Sequence, residues 1–400
     1  MRFPDEATLL FFRLLASEVL KIRKMAMSVC SSWLKITKPK ASKLPWKVEG
    51  VLPNNGPGAR WPIAYGYRED NRFILEHEKQ AMNTQAEWDS SHFVFKVHYG
   101  FYIWPQEFRT YAPPSAQSTS NRPVEAMESV ERSVLAIFDE SQFMERMIYY
   151  FSLEEKKGHD EFNAITYSLF YVSGVKLMLF KKPKNLKFQR LFRNYSIHIL
   201  PYFTPHLEKL LEDRREGAQR LACEIIAGMI DGAKLWRWEH HSQMVEWLRP
   251  RLLSCVEAMT TEAEKNWGTC IATIYGTCES RQLAWLTEAL FQLVERPTEN
   301  SFHTTTRFYL LHCALNQFEW RCPGLWRRLY EHCVPFVGSP HQNLRYRVGG
   351  CMASATTGDI QGMPGSDGLA QAKAALGVVT VEEIVRMMDS SVSRGWCGSF

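Results

Sequence analysis

Residues 221–232 read Leu-Ala-Cys-Glu-Ile-Ile-Ala-Gly-Met-Ile-Asp-Gly, and this stretch decides the fold class of the chain. Side chains three or four residues apart lie on one face of an α-helix. Apolar residues recur at that spacing, at Leu221, Ala222, Ile225, Ile226 and Met229. The stretch therefore predicts a helix that buries one face. Gly232 is predicted to end it, because glycine is favoured just beyond a helix C-terminus.

The same periodicity continues toward the C-terminus. The later apolar stripes are Val245, Leu248 and Leu252; Trp267, Ile271 and Ile274; Leu283, Leu286, Leu290 and Leu293; Phe308, Leu311, Leu315 and Phe318; and Leu325 and Leu329. Thr261 and Glu264 have the spacing of a capping box before the second stripe. We predict helices of roughly 12 to 18 residues. The turns between them are predicted at Pro201, Pro205, Pro250, Pro297 and Pro323.

Antiparallel helix pairs that repeat about every 40 residues are typical of HEAT and armadillo proteins. We predict an all-α fold, an α-solenoid of HEAT/armadillo-like helix pairs with an irregular insertion. Its parts are HEAT-like helices at 1–45, an aromatic- and Pro-rich insertion at 46–123, HEAT-like repeats at 124–350 and a divergent, flexible tail at 351–400. Within the insertion, Phe93–Tyr99 alternates in the manner of a short strand. A compact helical bundle is the alternative, although none of the predicted helices is apolar all round.

Composition restricts the classes of function. The 400 residues are 45% hydrophobic and 23% charged, which excludes wholesale disorder, and a net charge of +5 is too small to indicate a nucleic-acid binder. Acidic residues stand near the N-terminus where a signal peptide is positive, and no stretch of eighteen apolar residues occurs. We therefore expect no membrane partner. The ten cysteines are at least eight residues apart, so we expect buried, reduced thiols.

Motifs that carry chemistry are weak. Gly56-Pro57-Gly58 lacks the third glycine of a dinucleotide fingerprint, and the glycines at 362, 365 and 368 are not followed by Lys-Ser/Thr. Neighbouring helix residues point in different directions, which argues against three further pairs as metal or nucleophile sites. These pairs are His240-His241, His312-Cys313 and His332-Cys333. We assign no catalytic, cofactor-binding or metal-ligating residue and no cofactor, and the binding residues stay unassigned.

Two basic runs are candidate polyanion sites. One comprises Lys35, Lys38, Lys40, Lys43 and Lys47, and the other comprises Lys176, Lys181, Lys182, Lys184, Lys187, Arg190 and Arg193. A polyanion-binding module through the segment 176–193 is therefore one alternative function. The more ordinary interpretation is a solvated face or loop. Four tryptophans are predicted to be core anchors of the repeats rather than site residues, namely Trp104, Trp236, Trp267 and Trp285.

Several short segments of the sequence are distinctive. They are His92-Phe-Val-Phe-Lys-Val-His-Tyr-Gly-Phe-Tyr-Ile-Trp-Pro105, Phe151-Ser-Leu-Glu-Glu-Lys-Lys-Gly158, Cys223-Glu-Ile-Ile-Ala-Gly-Met-Ile-Asp-Gly-Ala-Lys-Leu-Trp236, Asn266-Trp-Gly-Thr-Cys-Ile-Ala-Thr273, Cys278-Glu-Ser-Arg281, Trp285-Leu286 and Phe318-Glu-Trp-Arg321. These segments resemble the large HEAT-repeat proteasome activators, the family of proteasome activator complex subunit 4, and the resemblance runs in family order across roughly residues 18 to 350.

The resemblance implies a function. Members of the family form a helical dome on the α ring of the 20S proteasome core and help to open its gate. They promote ubiquitin-independent degradation of peptides and proteins, acetylated histones among them, in the nucleus and cytoplasm, and they take part in DNA repair. They also bind inositol phosphates through basic residues, and they have no peptidase activity of their own. On the resemblance we expect a proteasome activator, or a fragment of one, and no enzyme.

The chain also departs from the family pattern. It ends Trp396-Cys397-Gly398-Ser399-Phe400, without the hydrophobic-Tyr-x tail that docks family members on the core. A free-standing HEAT-repeat scaffold without proteasome docking is therefore another alternative. The family's acetyl-lysine-binding part lies beyond the matched portion. Tyr171 to Arg190 is extra, so we expect a retained intron of about 20 codons there, and a read-through after Cys351.

Overall fold

The computed structural model describes residues 4–36, 43–46, 108–111, 121–153, 191–233, 236–275, 283–315 and 323–361. They fall into two compact units. The first unit holds the described residues up to 36 and from 121 to 275. The second holds residues 43–46, 108–111 and those from 283 onward. None of the described helices is long and apolar enough to cross a membrane.

The described part of the first unit is helical throughout. Its α-helices are α1 (Asp5–Arg13), α2 (Leu20–Ile36), α3 (Ser129–Ile137), α4 (Phe143–Ser152), α5 (Leu191–Tyr195), α6 (Leu200–Glu212), α7 (Glu216–Ala233), α8 (Trp238–Glu257) and α9 (Glu264–Tyr275), with single 3₁₀ turns at Leu14–Ala16, Val124–Ala126 and Ser196–Ile199. Helix α6 packs on α8, and α7 packs on α9. The pairs α6–α7 and α8–α9 therefore stand side by side, as neighbouring repeats do.

Helix α7 lies at the centre of the first unit. It contacts α4, α5, α6 and α9. Every residue from Gly217 to Ala233 is buried, although only one stripe of the helix is apolar in sequence. The predicted stripe is confirmed, with Leu221, Ile225 and Met229 fully buried. Burial of such a side chain contributes roughly 1.5 to 3 kcal/mol.

The polar residues of α7 explain how the helix tolerates burial on all sides. Arg220 donates from Nη1 to Glu224 Oε1 at 3.0 Å and from Nη2 to the Phe151 carbonyl at 2.8 Å. A buried charge is tolerated when it is paired and hydrogen-bonded. The sequence argument against a compact bundle assumed that a central helix is apolar all round, and α7 shows that a buried helix need not be. Polar side chains that pair with one another replace apolar ones there.

Two prolines predicted in turns lie inside helices instead, and Pro201, also predicted in a turn, is in the first turn of α6, where proline is tolerated. Pro205 is within α6 and Pro250 is within α8. Both residues are exposed, so water can reach the carbonyl that each leaves without its helical donor. Pro297 lies in a loop and Pro323 begins a helix, as turn-proximal prolines do. The buried stripes of α6 and α8 decide the helix where proline alone would predict a break.

The second unit contains α10 (Ala284–Glu295), α11 (Ser301–Leu315), α12 (Pro323–Cys333) and α13 (Gln342–Gln361), with a 3₁₀ turn at Val334–Phe336. Helix α11 packs on α10 and α13, and α12 packs on α13. Helix α13 continues past the predicted boundary at residue 350. Its Cys351 is buried, with Sγ 3.6 Å from the Phe308 carbonyl. Glycine disfavours helix, so the pair Gly349-Gly350 would be expected to interrupt α13. The contact of Cys351 with α11 stabilises the helix across this pair.

Two short strands also belong to the second unit. β1 (Lys43–Trp46) pairs antiparallel with β2 (Phe108–Tyr111), so that Lys43 lies opposite Tyr111. Among the described residues, the helices of the first predicted block end at Ile36, and the ladder joins positions close to the two ends of the predicted insertion. The predicted strand at Phe93–Tyr99 and the tail beyond Gln361 lie outside the described residues.

Candidate functional site

A groove of about 610 Å³ lies on the first unit, beside the last turns of α6 and α8. Residues of the connections that follow both helices also line it. Its lining mixes charged, polar and apolar side chains, namely Glu208, Leu211, Glu212, Arg214, Gln219, Pro250, Arg251, Ser254, Cys255, Ala258, Met259 and Thr260. Because α6 and α8 belong to neighbouring helix pairs, the groove runs between two adjacent repeats.

Charged groups along the groove are already engaged with one another. Arg251 Nη2 lies 2.7 Å from Glu208 Oε1, and the Arg251 guanidinium lies 4.9 Å from the centre of the Trp247 ring. Trp247 Nε1 also donates to Glu208 Oε1 at 3.2 Å. Both partners of the ion pair are more than a third exposed, so the pair contributes less than about 1 kcal/mol. Its effect is to fix the shape of the groove wall.

Gln219 lines the groove and links its own helix, α7, to α6, α8 and α9. Its Nε2 donates to the carbonyls of Leu210 and Asp213 at 3.2 and 2.6 Å, which satisfies the C-terminal end of α6. Its Oε1 accepts from Trp267 Nε1 at 2.9 Å and from Cys255 Sγ at 3.2 Å. No signal in the sequence marked Gln219. Its role depends on residues up to 48 positions away.

The groove thiol is not an activated nucleophile. Burial raises the pKa of Cys255 from 9.0 to about 12, and this effect outweighs the hydrogen bond to Gln219, which lowers it. A nucleophilic cysteine needs the opposite shift, toward the thiolate. Among the described residues, no three His, Cys, Asp or Glu side chains cluster in a way that could hold a metal ion.

The pair His332-Cys333, one of the His–Cys pairs considered in the sequence, takes part in the packing of α12. His332 Nε2 lies 2.9 Å from Glu295 Oε1, and Cys333 is buried. Arg328, one turn earlier on α12, lies 2.6 Å from Glu288 and 2.9 Å from Glu295, so these contacts hold α12 to α10. The Arg328 hydrogen bonds are the main cause that lowers the pKa of both carboxyls.

The remaining two pairs, His240-His241 and His312-Cys313, are buried or half-buried. His241 is buried while His240 is half-buried, and both members of the pair His312-Cys313 are half-buried. Six of the seven described cysteines are buried, and all seven are free thiols, which agrees with the prediction of reduced, buried cysteines.

A second surface lies on the second unit, where α11 and α13 meet. The Arg347 guanidinium stacks over the Tyr309 ring at 4.1 Å from its centre and lies 6.0 Å from the centre of the Tyr346 ring. Tyr346 is 76% exposed, the largest value among the exposed large hydrophobic residues described. The sequence word Arg345-Tyr346-Arg347 could have drawn attention to this surface, but its partner Tyr309 lies on another helix.

Most of the basic segment 176–193 lies outside the described residues. Its last member, Arg193, is in α5 and only 7% exposed. The prediction that Arg193 belongs to an exposed basic run is therefore wrong, because α5 is packed against α7 on that side. In the other run, the residues from Lys38 to Lys40 and Lys47 also lie outside the described part.

The predicted tryptophan anchors differ in burial. Trp236 and Trp267 are fully buried, and Trp236 Nε1 donates to the Phe192 carbonyl at 2.8 Å. These two predictions are confirmed. Trp285 is only half-buried, so it is not a core residue of the predicted kind. Trp104 lies outside the described residues.

Comparisons with known proteins extend over most of the chain. A family model described as "Proteasome activator complex subunit 4-like, HEAT repeat-like" matches residues 6–313. Proteasome activator complex subunit 4 of Bos taurus is 34% identical over 349 residues, and that of Homo sapiens is 34% identical over 348 residues. Subunit 4B of Danio rerio is 32% identical over 348 residues. Each alignment covers 86% of this chain and 18% of the relative, so the chain spans less than a fifth of these relatives.

Proposed function

The chain belongs to the proteasome activator complex subunit 4-like family of HEAT-repeat proteins, and from this membership we propose that it is a proteasome activator or a part of one. It binds the α ring of the 20S proteasome core and promotes ubiquitin-independent protein degradation. The observation that carries the proposal is the identity of 34% maintained over 349 residues. The predicted fold class, an all-α fold of HEAT-like helix pairs, is confirmed by the helices together with the family match.

We propose that the chain acts through its surface, without peptidase chemistry of its own. The groove thiol Cys255 is held in its neutral form, and Gln219 is committed to the packing of α6, α8 and α9. Solenoid repeats bind partners over extended surfaces, which suits a regulator of a large particle. The peptidase sites are then those of the core.

The finer parts of the proposal rest on the sequence resemblance. The substrates include acetylated histones, inositol phosphates are ligands, and the protein works in the nucleus and cytoplasm, with a part in DNA repair. Fluorescence of the tagged chain tests the location, and exclusion from either compartment would contradict it. Degradation assays with acetylated and unmodified histones test the substrate. Equal degradation rates of the two would remove the acetylation part of the proposal.

The central experiment combines the purified full chain with purified 20S core. We expect the chain to co-sediment with the core and to raise the hydrolysis rate of a fluorogenic peptide. The heat-unfolded chain is the matched control and should do neither. Co-sedimentation without faster hydrolysis would mean docking without activation. If the folded chain does not bind the core, the activator proposal fails and the free-standing scaffold becomes the better description.

The polyanion-binding alternative has a separate test. Salt-dependent retention on heparin that is lost on deletion of residues 171–190 would support it. The burial of Arg193 argues against the C-terminal end of that segment as part of a charged surface. Retention that survives the deletion would assign polyanion binding to another part of the chain.

A further inference from the structure

His332, on α12, faces a hydrogen-bond acceptor with each of its two ring nitrogens. Nδ1 lies 2.6 Å from the carbonyl oxygen of Arg328, and Nε2 lies 2.9 Å from Glu295 Oε1 on α10. A carbonyl oxygen and an ionised carboxylate have no proton to donate, and a neutral imidazole carries a proton on only one nitrogen. Both contacts are therefore hydrogen bonds only when His332 is an imidazolium.

The carboxyl group of Glu295 does not supply the missing proton at neutral pH. Hydrogen bonds from Arg328 and then from His332 lower the pKa of Glu295, so this group is ionised there. Without a proton on Nε2 of His332, two lone pairs face each other across the 2.9 Å between Nε2 and Oε1. That arrangement is repulsive, and the two side chains then separate.

The charges around His332 favour the same conclusion. Glu288 and Glu295 lie on α10, and Arg328 on α12 bridges them, with nitrogen–oxygen distances of 2.6 and 2.9 Å. Two carboxylates and one guanidinium leave one negative charge in excess. An imidazolium at His332 balances that charge.

The other elements that pack on α12 add no acidic side chain among the described residues. These elements are α13 and the 3₁₀ turn at Val334–Phe336. On α13, Arg345 donates to two backbone carbonyls and Arg347 stacks over the Tyr309 ring. The thiol of Cys351 is neutral, because its interaction with Cys333 and its burial raise its pKa.

The contact of His332 with Glu295 joins two neighbouring helix pairs of the second unit. Helices α10 and α11 pack as one pair, α12 and α13 pack as the next, and α11 packs on α13. Between α10 and α12, the Arg328 guanidinium lies 4.1 Å from the centre of the Phe291 ring, and the His332 ring meets Phe291 edge-on at 5.4 Å. A change in the charge of His332 therefore acts first on the side where α12 meets α10.

We propose that the contact of His332 with Glu295 and the Arg328 carbonyl is a pH-sensitive clasp between these two helix pairs. Mild acidification closes the clasp, because the imidazolium donates to both acceptors. Loss of the proton at higher pH opens the clasp and lets α12 move away from α10. The inference concerns the conformation of the second unit and does not depend on the proposed function.

Amide hydrogen exchange of the full chain, followed by mass spectrometry at about pH 6 and about pH 8, tests the clasp. The rates are corrected for the intrinsic effect of pH on amide exchange. In the wild type we expect the amides of α12 to exchange roughly two- to fivefold more slowly at the lower pH, as suits a partly exposed ion pair. His332→Gln should remove this difference.

Two further variants separate the clasp from other effects of pH. His332→Arg keeps a positive charge at both pH values, so α12 should be protected equally at both. His341→Gln, at an exposed histidine just before α13, should keep the wild-type difference. Equal corrected rates at both pH values in the wild type would overturn the proposal. A pH difference that persists in His332→Gln or in His332→Arg would overturn it as well, because another group would then carry the effect.

Discussion

His241, on α8, shows how a single side chain links the stability of the first unit to pH. Only 4% of the residue is exposed, and its ring stacks on Trp238 with 5.7 Å between the ring centres and 24° between the planes. Burial disfavours the imidazolium, and it lowers the pKa of His241 from 6.5 to about 4. The residue is therefore neutral in the folded protein at neutral pH.

The direction of the pH effect follows from these pKa values. Above pH 6.5 the imidazole is neutral in both the folded and the unfolded chain, so protonation of His241 does not reduce the free energy of unfolding there. Between pH 6.5 and about 4 only the unfolded chain takes up the proton. We expect the free energy of unfolding to fall by about 3 kcal/mol across this window. Urea unfolding of the wild type and of His241→Gln, measured at several pH values, isolates this contribution.

The quantity to follow is the difference in the free energy of unfolding between the wild type and His241→Gln. This is because His206, His240 and His312 also have pKa values lowered by burial. His241→Gln should show a shallower fall in stability on acidification than the wild type. Gln243→Ala, an exposed change in the same helix, should keep the wild-type slope. Parallel curves for the wild type and His241→Gln would show that His241 does not carry the effect.

At the scale of one element, α7 depends on a buried ion pair. Arg220 is 6% exposed and Glu224 is fully buried. Glu224→Ala leaves the guanidinium charged, buried and without this carboxylate, so we expect a loss of about 3 to 5 kcal/mol in the free energy of unfolding. Chemical denaturation followed by circular dichroism measures the change.

A double substitution distinguishes pairing from simple packing. Arg220→Met combined with Glu224→Leu removes both charges and keeps similar volume, so it should be far less destabilising than Glu224→Ala alone. If the double variant is as unstable as Glu224→Ala, the loss of stability comes from the changed shape of these side chains and not from the broken ion pair.

Gly232 lies where helices α5 and α7 approach each other closely. A Cβ at this position would lie 2.8 Å from Phe192 Cβ and 3.2 Å from the Arg193 backbone nitrogen, so α5 can pack against α7 only where a side chain is missing. We expect Gly232→Ala to lower the free energy of unfolding by about 1 to 3 kcal/mol, although alanine favours helix. Thermal unfolding provides the measurement.

Gly349 is the matched control for this prediction. It also lies inside a helix, but a Cβ there would have no atom within 4 Å. Gly349→Ala should therefore be neutral or stabilising, by up to about 1 kcal/mol. A similar response at both glycines would show that helix propensity, and not the contact with Phe192, controls the result at Gly232.

At the scale of the whole molecule, the described residues form helical repeats in which six of the seven described thiols are buried. Burial raises the pKa of the buried thiols Cys30, Cys223 and Cys255. The charged side chains that remain accessible mark surfaces, such as the groove beside α6 and α8 and the tyrosine–arginine surface of α11 and α13. Such surfaces suit the proposed role of a chain that belongs to a family named for proteasome activators.

The sequence by itself determined the helical class and the family. Helical periodicity is local, so the stripe of Leu221, Ile225 and Met229 could be predicted without knowledge of what covers it. The order of the family words needed no structure either. The burial of Trp267 in α9 also follows from a large apolar side chain at helical spacing.

Only the tertiary structure decided what surrounds each face, because those contacts join residues far apart in sequence. The burial of α7 on all sides depends on Arg220 meeting Phe151, 69 residues away. The continuation of α13 beyond residue 350 depends on Cys351 meeting Phe308, 43 residues away. Gly232, predicted as a helix stop, is the next-to-last residue of α7 and also the point where α5 and α7 touch. Contacts of this kind outweigh local preferences of about 1 kcal/mol per residue, which are all that a single segment of sequence expresses.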